Sequence, residues 1–197
     1  GNHRVEQAEA QLIDAVRVES GVYRPSDAVE ERLIPRAFVA PVPTVPVFLD
    51  LPLLTGDEVP HAPHLAVTAR PWPGSVAVWN AAEDDGYVFN RLVAAAAVMG
   101  RTESVMLAAS AGYWDRGAPL RVRLSAGALS SASEMAVLNG ANVMAIGDGS
   151  SYKWEVFQFM SAVLVAPRTY EISLRLRGQA GSDALIPAAW PIGSRVE

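Results

Sequence analysis

Cysteine is absent from the 197 residues, which excludes a disulfide framework, a thiol nucleophile and a zinc-thiolate site. Lysine is nearly absent as well. Lys153 stands alone among sixteen cations, and a host bias towards arginine codons explains that more simply than selection for bidentate contacts. Long apolar runs are missing: the longest, Leu92–Met99, falls far short of the ~20 residues that a membrane helix needs. The first residues do not read as a signal peptide, because Glu6, Glu9 and Asp14 interrupt any apolar stretch. A basic stripe is also lacking. Residues 1–60 hold ten acids against five arginines, and residues 61–197 hold eleven of each sign, so nucleic-acid binding is not expected.

What is present is β chemistry and proline. A chain of this length can bury one sizeable core. In residues 1–36, Arg4–Val18 mixes helix formers with an alternating end, and the alternation favours a strand over Leu12–Val18. Nine of the fourteen prolines fall in Ile34–Pro73. Proline removes ladder donors, so residues 37–73 read as an extended segment docked on a neighbouring surface, with a short strand at Val47–Leu51. From residue 74 to 197 short apolar runs alternate with turn chemistry. Val76–Trp79 and Tyr87–Val93 flank the turn Glu83-Asp84-Asp85-Gly86, with a strand continuation over Ala94–Met99. Ser104–Ala109 and Leu120–Leu124 read as strands, the latter with one wet face, and Asn139-Gly140 as a turn. Lys153–Val165 and Tyr170–Arg177 form a hairpin about Ala166-Pro167-Arg168-Thr169. Val156, Phe159, Val163, Val165, Ile172, Leu174 and Leu176 are its expected core positions. The fold class is mainly β, an antiparallel sandwich or barrel-like module.

Candidate chemistry is sparse. His61 and His64 flank Pro63, which rules out a helical ligand face, and no third ligand is fixed beside them, so no metal site is assigned. Asp84-Asp85 and Asp148 sit in turns, where Asp accepts from the local backbone, and Glu155 lies on a strand. No spacing fixes a carboxylate pair for glycosidase work. No Gly-x-Ser-x-Gly elbow exists, and Gly178-Gln179-Ala180-Gly181 lacks the Gly-Lys-Ser/Thr of a phosphate loop, so it reads as a positive-φ turn. No catalytic, cofactor or metal residue is therefore named. Of the five tryptophans, Trp79 and Trp154 are expected in the core or half in it. Trp72, Tyr113 and Trp114, in loops, are the candidates for stacking on a sugar ring, against the commoner role of packing on a sheet rim. Arg177, at a strand end, is a candidate anchor able to pin a loop or an adjacent chain.

Several stretches in joint order resemble a known family. They are Leu51-Pro52-Leu53-Leu54, Pro60–Val67, Ala69-Arg70-Pro71-Trp72-Pro73-Gly74, Trp114-Asp115-Arg116-Gly117, Leu120-Arg121-Val122, Gly140-Ala141-Asn142, Trp154-Glu155-Val156, and Leu176-Arg177-Gly178-Gln179. Together they resemble the large baseplate-hub ("megatron") protein of gene transfer agents and related siphophage tails. The resemblance spans about residues 20–197. That family carries a glycosidase-like TIM barrel towards its N-terminus, and this chain resembles the portion downstream of it. No glycosidase residues transfer. The resemblance implies that residues 1–36 end a preceding hub domain. It further implies partners among tail-tip proteins, copies of the same chain in a trimer, and a distal-tail location in a phage or gene transfer agent particle made in a bacterial cytoplasm. The expected function is a non-catalytic structural and attachment module without a cofactor. The alternative is a glycan-binding module for host adsorption.

Overall fold

A computed structural model describes residues 3–6, 12–15 and 42–197. The chain divides into two units, Gly1–Ala40 and Pro41–Glu197. In the first unit β1 (His3–Glu6) pairs antiparallel with β2 (Leu12–Ala15), Val5 opposite Ile13. The strand expected over Leu12–Val18 is thus present over Leu12–Ala15. Its remainder, and the start of the proline-rich segment through residue 41, lie outside the described residues.

The second unit begins with two separate hairpins. β3 (Thr44–Leu49) pairs with β4 (His64–Ala69), and β5 (Val76–Asn80) pairs with β6 (Val88–Val93). β3 starts three residues before the strand expected at Val47, and it takes in Pro46. An outer strand of a two-stranded sheet tolerates that proline, since one of its edges needs no donor.

Beyond them come β7 (Met99–Thr102), β8 (Met106–Leu107), β9 (Trp114–Asp115), β10 (Leu120–Ala126), helix α1 (Glu134–Leu138) and β11 (Val143–Gly147). β12 (Trp154–Ala166), β13 (Thr169–Leu176), a 3-10 stretch (Gln179–Leu185), β14 (Ala189–Trp190) and β15 (Arg195–Val196) complete the chain. The order β10-β7-β15-β11-β12-β13 is antiparallel throughout, and β13 returns to β10 through Leu120↔Ile172 and Val122↔Tyr170. The result is a closed six-stranded barrel with β9 added on β13. Closure removes the open edges that a sandwich would leave.

Leu120, Val122, Leu124, Met144, Ile146, Phe157, Phe159 and Ile172 fill the barrel, and Met106 with Trp190, from the β8–β14 pair, plugs one end. β10 alternates strictly between buried and exposed, giving the wet face its Arg-Val-Arg-Leu pattern foretells. β12 behaves differently. Its first six residues are buried on both faces: Phe157 and Phe159 point inward, Trp154 packs under β3, and Gln158 donates to the Val137 and Ala141 carbonyls at α1.

Several expectations need correcting. Val163 and Val165 are exposed, because β12 outruns its covering elements and its far end projects into solvent. Leu174 is only half-buried and adopts φ +54°, a left-handed conformation that costs a non-glycine residue about 1–2 kcal/mol. No ladder pair forms between Met160 and Leu174, and both strands change sides there: Phe159 faces the core, yet so does Ala162 three residues on. Ala94–Met99 does not continue a strand. The chain crosses over β4, where the Ala97 amide donates to the Val67 carbonyl at 2.8 Å, and enters the barrel only at Met99. The strand expected over Ser104–Ala109 shrinks to Met106–Leu107. Trp154 is buried as expected, but Trp79 is 55 % exposed. It sits on a hairpin that makes no extensive contact with any other element among the described residues.

Candidate functional site

The change of sides at Leu174 brings two arginines into the interior. Arg175 lies opposite the core residue Phe159, and Arg177 follows beyond the end of β13. Arg177 is fully buried and forks onto the equally buried Glu155, Nε to Oε1 at 2.5 Å and Nη2 to Oε2 at 2.7 Å. The Trp190 indole donates to Glu155 Oε2 at 2.6 Å, and Arg177 Nη1 donates to the Leu107 carbonyl at 2.7 Å. Arg175 is held by Asp115 Oδ2 at 2.8–2.9 Å and by the carbonyls of Ala118 and Ile172. Asp115 Oδ2 also lies 3.5 Å from Arg177, joining both pairs into one cluster across β8, β9, β12, β13 and β14.

Burial works against the Asp115 carboxylate. The Gly117 amide and the two guanidinium groups outweigh it, and its pKa falls below the ordinary 3.8. The cluster locks the barrel end: its acids are engaged by arginines and indole, and Glu155 and Arg177 are closed to solvent. Sequence reasoning singled out Arg177 and weighed Glu155, but missed Asp115, Arg175 and Trp190. An Asp in Trp-Asp-Arg-Gly and an Arg alternating with Leu along a strand were visible signals.

The loop aromatics do not assemble into one platform by ring pairing. Tyr113 is 74 % exposed just before β9. Trp114 is half-buried, its Nε1 donating to Glu134 Oε1 at 3.1 Å, so α1 pins the indole. Trp72 is half-buried in the turn after β4. The ring pair among the described residues is Trp79–Phe89, edge to face at 5.5 Å. His64 lies 4.0 Å from Glu58, and among the described residues no three metal-ligating side chains gather.

A groove of about 820 Å³ lies between the β3–β4 hairpin and the barrel wall at β7, β10 and β15. Exposed Pro43 and Val45 give it an apolar floor beside the buried Val47, Met99 and Leu124, while five arginines line it: Arg70, Arg101, Arg123, Arg168 and Arg195. Two acids offset them. Glu103 lies 3.7 Å from Arg123, and Glu197 is pushed up to about 7 by burial, against the pull of Arg195 and Arg101. Arg101 and Arg168 also donate to the Gly193 and Ser125 carbonyls. The groove is therefore basic in a chain whose net charge is −5. No reading of the sequence finds it, because its arginines come from five separate segments.

Residues 97–197, just over half of the chain, match the family model described as Rcc01698-like, C-terminal. The chain belongs to the Rcc01698-like family. The name is related to the gene transfer agent of Rhodobacter capsulatus and points to a protein of that type. The Rcc01698-like match begins two residues before β7 and takes in every strand of the barrel, but neither preceding hairpin. No curated protein matches the chain.

Proposed function

We propose that this chain is a structural and interaction module of a phage-like tail-tip baseplate hub, serving tail assembly and host-surface attachment without chemistry of its own. The family match over the barrel carries the reading. The side-chain chemistry supports it: the barrel's buried acids are consumed in a locked ion cluster, and the basic groove presents arginines and an apolar floor rather than a nucleophile beside a base. In this reading the particle is assembled in a bacterial cytoplasm, and the module meets other tail-tip proteins and copies of its own chain at the distal tail. Antibodies to residues 97–197 are expected to decorate the tail tip in electron micrographs. Label on the capsid, or absence from purified particles, would overturn the assignment.

A second reading rests on one specific observation, the exposed Tyr113 beside an indole held in place by Glu134. Such a pair suits stacking on a sugar ring. Titration with host-surface polysaccharide decides it: binding lost in Trp114→Ala supports a glycan-contact role, and no binding ends it.

A further inference from the structure

The hairpin β5–β6 stands apart from the core, and register shows what it offers. Ala77 lies opposite Leu92 and Trp79 opposite Phe89, so these four share one face. All four are exposed, which makes the face apolar and uncovered. Two-stranded hairpins are marginal in water without such a face being packed, and contiguous exposed apolar patches mark contact sites. Its tip, Glu83-Asp84-Asp85, is exposed and carries three carboxylates. The tip is also ordered by its own bonds: Tyr87 Oη donates to Asp84, the Gly86 amide donates to Asp85 Oδ1 at 2.7 Å, and Gly86 takes φ +63°. The hairpin is thus a preformed acidic arm with one apolar side.

The basic groove is its chemical counterpart, with an apolar floor against the apolar face and five arginines against three acids. The arm does not occupy the groove of its own chain. No residue of 75–98 lines the groove.

We infer that the β5–β6 arm of one copy docks into the arginine-lined groove of a second copy of this chain. Trp79 and Phe89 meet the exposed Pro43 and Val45 that line the groove, and the carboxylates of Glu83 and Asp85 meet Arg70 and Arg123. The two surfaces are different patches of one molecule, so the contact is head-to-tail and either closes into a ring or runs on as a filament. The inference names a partner for the module, but it rests on charge and shape alone and holds whatever particle the module serves.

The test is sedimentation of the whole chain at low and high salt, with two charge-reversed variants. Wild type is expected to self-associate, with the apparent Kd rising at least tenfold between 50 mM and 500 mM NaCl, since exposed charges are screened over a few ångströms at high salt. Glu83→Lys with Asp85→Lys (tip) and Arg70→Glu with Arg123→Glu (groove) are each expected to be monomeric, with unchanged circular dichroism and Tm. Mixing the two matches the wild-type arm with the wild-type groove and the reversed arm with the reversed groove, so hetero-association returns. Three results overturn the inference: a wild type monomeric at millimolar concentration, self-association indifferent to both reversals, or a mixture that stays monomeric. Stoichiometric capture of polyglutamate by the wild type, undiminished by excess groove variant, which keeps its arm, also overturns it by giving the groove another occupant. Failure here leaves the tail-tip assignment standing, because that is read from particle labelling and not from association.

Discussion

Two of the antiparallel hairpins, β12–β13 and β5–β6, are built from much the same residues and treated in opposite ways. β12–β13 carries Trp154, Val156, Phe157, Phe159 and Ile172, all buried, and its base is covered on both faces. β5–β6 carries Trp79, Tyr87, Val88, Phe89 and Leu92, all exposed. Strand formation in each follows from β-branched and aromatic content about a turn. Burial follows instead from what closes over the strand: α1, the 3-10 stretch and the β3–β4 hairpin in the first case, and no other element among the described residues in the second. The family match falls on the same division, covering the barrel and stopping short of the arm. A core hairpin conserves its shape through its neighbours.

The largest expected effect comes from breaking the core hairpin at its charges. Arg177→Ala leaves Glu155 buried beside only an indole and an amide, and loss of one member of a buried pair costs about 3–5 kcal/mol. For a chain of this size the Tm is expected to fall by roughly 10 °C in a thermal melt. Replacing both partners, Glu155→Leu with Arg177→Leu, should recover much of that, because paired removal leaves no orphan charge. A melt unchanged in Arg177→Ala would show that the cluster does not hold the barrel end.

Next in size is a change with no charge. The Trp154 indole lies across Gly147: a Cβ there would stand 2.6 Å from the ring and 2.7 Å from the Lys153 carbonyl. Gly147→Ala is expected to cost about 1–3 kcal/mol as overpacking, read as a lower denaturant midpoint at unchanged m. The corresponding enlargement on the arm, Ala77→Val, falls on an exposed face and should leave the midpoint where it is.

Smaller effects are read through pH. Asp115 has a depressed pKa, so its contribution to stability is present above about 3.8 and is lost as pH falls through the folded-state value. Glu197 has a raised pKa: the folded state holds its proton from 4.5 up to about 7, and stability declines as pH rises across that interval. Tm against pH should therefore bend down on both sides. Asp115→Asn should remove the acid-side bend, though it also costs stability at neutral pH. Glu197→Gln should flatten the other side slightly, since its side chain is part-exposed and solvent screens it. A decline from pH 4.5 to 7 that persists in Glu197→Gln would assign it to another group.

How much of this was readable in the sequence divides along the same line. Turn chemistry marked both hairpins closely: Asp85-Gly86 and Pro167-Arg168 sit where the loops are, and Gly178 and Gly181 take the positive φ the turn required. Ser133 caps α1, its Oγ accepting from the Ala136 amide, but α1 is only five residues long and too short for periodicity to reveal. Side-chain direction was less readable. Strict alternation puts Val163 and Val165 inside, and a single left-handed Leu174 with its mate Met160 defeats that count. Barrel closure through β10 and β13, and a groove drawn from five segments, are properties of pairing partners far apart in sequence. No local pattern encodes them.

The smallest effect on the isolated fold is the most informative about the arm. Trp79 touches its cross-strand mate Phe89 and packs against no core residue, so Trp79→Ala should change monomer stability by no more than about 0.5 kcal/mol. If the arm's apolar face is an interface, the same substitution should weaken self-association by tenfold or more, because buried aromatic anchors dominate such contacts. Phe157→Ala, its counterpart on the core hairpin, should do the reverse, lowering stability by about 3–5 kcal/mol with association altered only through unfolding. Stability and association measured on both variants therefore separate the two hairpins. An aromatic whose loss moves neither quantity would return the arm to an ordinary exposed hairpin.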